Sequence, residues 1–331
     1  MKGFFLPTNL RNSFSLLIKL LVSGDKIAIF QVMLYVVSVI IIPLDFFLAM
    51  AFRASKQKSE KQTTIFLSGY SRSGTTMIYQ ALVACMQDVE YINNLVIIFP
   101  RSYSVVLSWY RKFISKRDTG LKNYYGRTIG LYGTNDGAQL MEFFFGKECL
   151  GERGLREPER IHSFFDLHSR LLKKALIFKN CNLYLKFPEL KKLFPNAIFI
   201  YVKRDPAATC RSTLKAREFI QGTMDSDWEY SITRERGGYE DSVDEVMSNI
   251  KHAYDSVDTM VTDGVIIVNY EDFCNDPSSF IMDISKKVRS KICENNLTEV
   301  KNYIHPMKPF NGVGEFEKRI LHAKERLFSK S

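Results

Sequence analysis

Eight consecutive residues, Gly69-Tyr70-Ser71-Arg72-Ser73-Gly74-Thr75-Thr76, combine two glycines, four aliphatic hydroxyls and one cation. They follow the apolar run Thr64-Ile65-Phe66-Leu67 and open a helical pattern that continues through Met77 to Met86. A strand, a glycine-bounded turn and a helix start aim backbone N–H groups and the positive end of the helix dipole at an anion. The spacing is that of a phosphate-cradling loop, but the Gly-Lys-Ser/Thr ending of a nucleoside triphosphatase is missing. Gly74 is followed by Thr75, and the cation, Arg72, stands inside the turn. The loop is therefore expected to hold a phosphate-bearing ligand without ordinary ATP chemistry.

A second stretch has the same anion-binding chemistry. Phe194 to Val202 reads as a buried strand ending in Lys203-Arg204-Asp205-Pro206. Asp205 suits a helix N-cap and Pro206 the first helical position. Arg204 then sits at the strand's carboxyl end and Ser212 about two turns into the helix, where a guanidinium and a hydroxyl converge on a second phosphate. Arg211 is a further nearby cation. Taken alone, Arg-Asp-Pro is as well explained by a cap and a surface ion pair.

Together, Gly69–Thr76 resembles the 5′-phosphosulfate loop of the sulfotransferase family, and Phe194–Ser212 its 3′-phosphate strand and helix, in the family's order. Tyr270-Glu271-Asp272-Phe273 with Asp276-Pro277 looks like the family's late strand-to-helix element. Lys179-Asn180 resembles its Lys-Thr-Pro or Lys-Asn-Pro element, with Cys181 in place of the proline. The resemblance spans about Thr63 to Arg289. It implies 3′-phosphoadenosine 5′-phosphosulfate as sulfuryl donor, a molecule with two anionic ends, and it accounts for the absent triphosphatase lysine. Sulfuryl transfer places charge on the leaving phosphate oxygen, so cations and N–H groups matter more than covalent catalysis. The implied roles are Arg72 against the leaving oxygen and Ser71, Ser73, Gly74, Thr75 and Thr76 around the 5′-phosphate. Arg204 and Ser212 fall on the 3′-phosphate, and Lys179 becomes a second cation near the sulfuryl group.

The general base is the open position. An acceptor hydroxyl needs a carboxylate or histidine within hydrogen-bond reach. No histidine falls just after Lys179, where cytosolic members of the family carry one. The region after the first helix offers Asp88, Glu90, Asp136, Glu142 and Glu148. Asp136, in the turn Gly133-Thr134-Asn135-Asp136-Gly137 before an aromatic helix, ranks first and Glu142 second. Each taken singly also reads as ordinary surface charge. The C-terminal Phe310–Glu315 stretch with Arg319 is a candidate lid over the nucleotide, or a plain glycine loop.

These residues need a scaffold. Strands are expected at Thr64–Leu67, Ala175–Phe178, Ala197–Val202 and Val265–Val268. Helices are expected near Thr75–Met86, His162–Lys174, Pro188–Phe194, Pro206–Arg217, Asp241–Val261 and Pro277–Arg289. Continuous apolar strands separated by helices predict an α/β fold, a P-loop-like three-layer α/β/α arrangement around a central parallel sheet. Ligands in such sheets sit beyond the carboxyl ends of the strands. The aromatic-rich, less regular Tyr91–Arg160 is expected to shape an acceptor pocket. Two regions result: a membrane-anchoring segment over 1–62 and a catalytic domain over 63–331.

Within the first region, Ile27 to Phe52 is apolar except for Gln31, Ser38, Pro43 and Asp45, long enough to span a bilayer. It lies too far from the N-terminus for a cleaved signal and ends in Arg53, Lys56, Lys58 and Lys61. Pro43 and Asp45 are positioned to turn it back as a re-entrant hairpin, and Phe14–Val22 suits an interfacial helix. A buried core helix is the other reading of the apolar run. The denser cations after it favour a cytoplasmic catalytic domain. Lysine, isoleucine and asparagine usage leans towards a bacterial inner-membrane protein, with a Golgi type II enzyme as the alternative.

Lys and Arg number 46 against 36 Asp and Glu, a net charge of +10. That excess suits an anionic donor or membrane surface. Nucleic acid is disfavoured, since zinc-finger spacing, an aromatic ribonucleoprotein signature and a long basic tail are all missing. Six scattered cysteines and five histidines show no ligand spacing, so no metal is expected. The expected partners are the small-molecule donor, a glycan or lipid-linked acceptor, and the membrane. The competing functions are a nucleotide-dependent kinase on a similar core, disfavoured by Thr75 at the lysine position, and a membrane-tethered binding protein with a degenerate nucleotide site.

Overall fold

The computed structural model describes residues 18, 22, 24, 26–53, 63–113, 121, 128–145, 158–225, 239, 241–307 and 309–329. Among them five strands, β1 (Thr64–Gly69), β2 (Val89–Tyr91), β3 (Ala175–Lys179), β4 (Ile198–Lys203) and β5 (Ile266–Asn269), form one parallel sheet in the order β2-β3-β1-β4-β5. The helices before the second half of the sheet are α1 (Lys26–Arg53), α2 (Thr75–Cys85), α3 (Leu95–Ile98), α4 (Tyr103–Phe113), α5 (Ala138–Phe145), α6 (Pro158–Leu172) and α7 (Phe187–Leu193). They are followed by α8 (Pro206–Gln221), α9 (Ser242–Asp258), α10 (Tyr270–Asn275), α11 (Pro277–Val288), α12 (Glu294–Tyr303) and α13 (Glu315–Phe328).

Every residue of β1 is buried, and its side chains alternate between two apolar clusters. Phe66 packs with Phe178, Phe199 and Tyr201 on one face, its ring stacked 5.2 Å from that of Phe199. Ile65 and Leu67 pack with Ile177, Ile200 and Val202 on the other. A strand apolar on both faces needs cover on both sides. Ile161, Leu214, Val246 and Ile320 of α6, α8, α9 and α13 cover the Phe66 side; Ile78, Ile281 and Leu297 of α2, α11 and α12 cover the Ile65 side. The result is the three-layer arrangement expected from the sequence. The carboxyl ends of β3, β1 and β4 lie side by side, with Leu67 opposite Lys179 and Gly69 opposite Val202. β1 leads to neighbours on both flanks, so the crevice above it is the topological switch point where such sheets bind ligands.

α1 runs unbroken through Pro43, so the expected hairpin does not form. Asp45 is there for a different reason. Its carboxylate is 1% exposed and accepts the Ser102 amide at 2.9 Å, the Ser102 hydroxyl at 2.8 Å and the Arg101 amide at 3.2 Å, immediately before α4. It thus caps the N-terminus of a helix more than fifty residues downstream. α1 is long and apolar enough to cross a membrane. Most of the expected Phe14–Val22 helix lies outside the described residues.

Behind α4, His168 is wholly buried, with Nδ1 3.3 Å from the Ser104 hydroxyl. Burial, and then the Arg111 charge, push its pKa down to about 3. The unfolded chain takes up a proton there near pH 6.5 while the folded one stays neutral, so stability falls as pH drops from about 6.5 towards about 3. His168→Gln should flatten that part of the acid loss in urea titrations run across the window. Asp45→Ala should cost about 1–2 kcal/mol by losing the cap, measurable as a drop in denaturation midpoint.

Candidate active site

The loop expected to bind phosphate is a tight left-handed turn. Arg72 has φ +66° and Gly74 φ +94°, with the Ser73 amide donating to the Tyr70 carbonyl at 3.1 Å. A non-glycine residue in the left-handed region is uncommon and costs strain that surrounding contacts must hold. Gly74 is the N-cap of α2 and offers no capping side chain, which leaves the helix start as an anion site. Only glycine fits at 74, because a Cβ would lie 2.2 Å from atoms of the Tyr270 ring. Ser73 is buried and its hydroxyl has no protein partner. Thr75 is buried with its hydroxyl 3.8 Å from Cys181 Sγ, while Ser71 and Thr76 are half-buried on the turn.

The second segment forms as expected. Asp205 caps α8 by accepting the Ala208 amide at 2.8 Å, with Pro206 at the first helical position. Arg204 is fixed by its backbone. Its amide donates to the Tyr254 phenol oxygen at 2.9 Å, and that phenol donates to its carbonyl at 2.5 Å. The next amide, of Asp205, donates to Glu271 at 3.0 Å. The Arg204 guanidinium lies 5.3 Å over the Tyr270 ring, in cation–π contact, and Nη1 donates to the Arg72 carbonyl at 3.0 Å. Arg72 Nε in turn donates to Ser212 Oγ at 3.3 Å. The two anion sites inferred separately are therefore one bonded unit, in which Arg72 touches both. Arg204 Nε is buried and lacks a protein partner, like the Ser73 hydroxyl. A buried donor normally has one, and a ligand with two anionic ends supplies acceptors to both positions.

Lys179 closes β3, is buried, and donates to Thr76 Oγ1 at 3.4 Å. Next to it, the Asn180 amide group donates to the Asp136 carbonyl at 3.2 Å. Asp136 is thereby held beside the Lys179 strand end, and its carboxylate accepts the Ala138 amide at 3.2 Å at the start of α5. Glu142 sits further along α5, near Tyr35 of α1, whose phenol is pushed up by burial and then by the Glu142 charge. The structure holds Asp136 beside the Lys179 strand end, while the Glu142 charge acts on Tyr35 of α1. Glu90 is buried and bound by Arg111 at 2.6 Å, and Asp88 accepts the Lys291 amide at 2.9 Å, so both have structural work. Glu148 lies outside the described residues. Arg319, considered as part of a lid, pairs with Asp241, and Arg211 pairs with Glu317 at 3.1 Å.

Sequence reasoning missed Tyr254, which holds Arg204 from the middle of a helix with no motif around it. The glycine at 74 was read as bounding the turn, and nothing in the sequence showed that Tyr270 approaches it. Among the described residues no cluster of three metal-ligating side chains occurs, and no two of the five described cysteines are joined by a disulfide.

The parallel sheet, the left-handed loop on α2 and the Arg–Asp–Pro cap on α8 define a sulfuryl-transfer site at the carboxyl ends of the strands. The model of the sulfotransferase family matches residues 64–288, and the chain belongs to that family. Its chemistry is transfer of a sulfuryl group. No curated protein matches the chain by sequence. Among solved structures it is similar to sulfotransferase STF1 from Mycobacterium tuberculosis H37Rv, with 12% identity and TM-score 0.52 over 96% of this chain and 92% of that one. It is also similar to sulfotransferase STF9 from Mycobacterium avium, with 14% identity and TM-score 0.51 over 82% and 78%. At these identities the likeness is one of fold.

The contact between Gly74 and Tyr270 is directly testable. Gly74→Ala should destabilise by about 1–3 kcal/mol through left-handed strain and overlap with the ring. In urea denaturation the Gly74→Ala/Tyr270→Ala double variant should lose less than the sum of the single variants. Strict additivity would show that the ring does not press on position 74.

Proposed function

We propose that the protein transfers a sulfuryl group from 3′-phosphoadenosine 5′-phosphosulfate to a hydroxyl of a glycan, glycolipid or other membrane-proximal acceptor, by in-line displacement. The observation that carries this reading is the pair of bonds on Arg72: its side chain reaches Ser212 while its carbonyl is held by Arg204. A residue of the 5′-phosphate loop therefore bonds both groups assigned to the 3′-phosphate, which supports one site for the two ends of a doubly anionic donor. In this reading Ser73, Gly74, Thr75 and Thr76, with Ser71 at the turn's edge, hold the 5′-phosphate through hydroxyls and helix-start amides. Arg204 and Ser212 hold the 3′-phosphate.

The acceptor oxygen bonds to sulfur as the bond from sulfur to the 5′-phosphate oxygen breaks, and the electron pair leaves with that oxygen. Arg72 and Lys179 neutralise the charge arriving there, in a crevice where fixed cations act more strongly than in water. Asp136 takes the proton from the acceptor hydroxyl; its tether to Asn180 keeps it at the Lys179 strand end. Glu142, beside α1, is the second candidate base or an acceptor contact. In this reading the catalytic domain faces the cytoplasmic side of a bacterial inner membrane, which the cations that follow α1 favour.

Arg72→Ala should lower kcat by about 10²–10³ with donor affinity changed only a few-fold, since its charge acts chiefly on the leaving oxygen. Arg204→Ala should weaken donor binding and also lower kcat, because it supports the Arg72 carbonyl. Steady-state kinetics with calorimetric donor titrations separate the two. Wild-type activity in Arg72→Ala would refute its role, and equal affinity of the unmutated protein for nucleotides with and without the 3′-phosphate would refute the two-ended site.

A further inference from the structure

α1 has two opposite long faces. Along one, Gln31, Leu34, Asp45 and Ala49 are buried against the catalytic domain. Gln31 Nε2 donates to the Thr128 carbonyl at 3.0 Å, Leu34 packs with Ile97 and Ile98 of α3, and Asp45 caps α4. Gln31 and Asp45 are 14 residues apart, about 21 Å of helix at 1.5 Å per residue. Along the other, Ile29, Met33, Val36, Ile40, Leu44 and Phe47 recur at three- and four-residue spacings, which places them on a single side. All six are exposed, Ile40 at 73% and Phe47 at 66%. Water-facing surfaces rarely carry an uninterrupted apolar stripe of this length.

The pinned face conflicts with a span. A helix crossing the roughly 30 Å hydrocarbon layer is surrounded by it along most of its length. This one would draw Thr128, Arg101 and Ser102 in beside it, and the Arg101 side chain is 39% exposed. Charged groups are costly at that depth, and exposed irregular backbone is not tolerated there. The stripe on the opposite side still needs an apolar partner.

We propose that α1 is a monotopic membrane-docking helix, lying in the plane of one leaflet with the Ile29–Phe47 stripe in the acyl region and the Gln31–Asp45 face holding the catalytic domain on the surface. The occupant of the stripe is a lipid bilayer, because α1 is long and apolar enough for one while its opposite side is taken up by the catalytic domain. Lys26 and Arg53 close the two ends of α1, and with the net charge of +10 they suit anionic headgroups. α4, which Asp45 holds, exposes Trp109 and Phe113, aromatic side chains of the kind that settle at membrane interfaces. Both ends of α1 then lie on the same side of the membrane. This placement is independent of the identity of donor and acceptor.

The test uses the full chain added to preformed sealed vesicles of phosphatidylcholine and phosphatidylglycerol. Flotation measures binding, and a membrane-impermeant maleimide measures the exposure of Lys26→Cys and Arg53→Cys, with the unmodified chain setting the native cysteine background. The expected results are flotation of the chain and labelling of both variants without detergent. Ile40→Glu/Leu44→Glu should lower flotation by about tenfold or more at unchanged circular dichroism and thermal midpoint, because both positions face outward. Labelling of one end only after detergent would mean a span and overturn the proposal. So would flotation that survives the double substitution, or an unmodified chain that stays in solution, including as a dimer formed through this stripe.

Discussion

The hydrogen bond from Arg204 to the Arg72 carbonyl is the constraint on which the site depends. Arg72 stands in the left-handed region, a conformation that a side chain resists. Something outside the turn has to hold it there. Arg204 does so from the end of β4, and it can because its own backbone is clamped by Tyr254 and its guanidinium lies over Tyr270. Tyr270 in turn presses on Gly74, the other left-handed residue of the turn. The loop after β1, the start of α8 and the start of α10 thus brace one another above the central strands. Loss of any one of them is felt at Arg72.

Much of this was legible in the sequence because the signals were local. The apolar runs expected from 64, 175, 197 and 265 became β1, β3, β4 and β5 within one or two residues. Asp205 and Pro206 marked the start of α8 as their backbone preferences require. What stayed hidden was set by distant partners. β2 spans only Val89–Tyr91, too short to show alternation. α4 takes its cap from Asp45, so the sequence just before Tyr103 carries no acidic start signal. The bond joining Arg72 to Ser212 links positions 140 residues apart, so the connection between the two inferred anion sites was not legible in either local sequence.

Asp45 shows how a polar residue in an apolar segment misleads when read by itself. Beside Pro43 it suggested a break in the helix; in the fold α1 is continuous and Asp45 ties it to the start of α4. The same tie decides what α1 can do, because a helix fastened along one side presents only the other to lipid. The charge of Glu142 on α5 reaches Tyr35 on this helix and raises its phenol pKa after burial does.

The central claim is that one connected site holds a nucleotide by two separated phosphates. Thermal unfolding of the full chain with 3′,5′-adenosine bisphosphate, compared with ATP and Mg²⁺, tests it most directly. At about a hundredfold excess over its dissociation constant, the bisphosphate should raise the midpoint by about 5 °C, with ATP far less effective. Stabilisation by ATP and Mg²⁺ with no response to the bisphosphate would contradict the account.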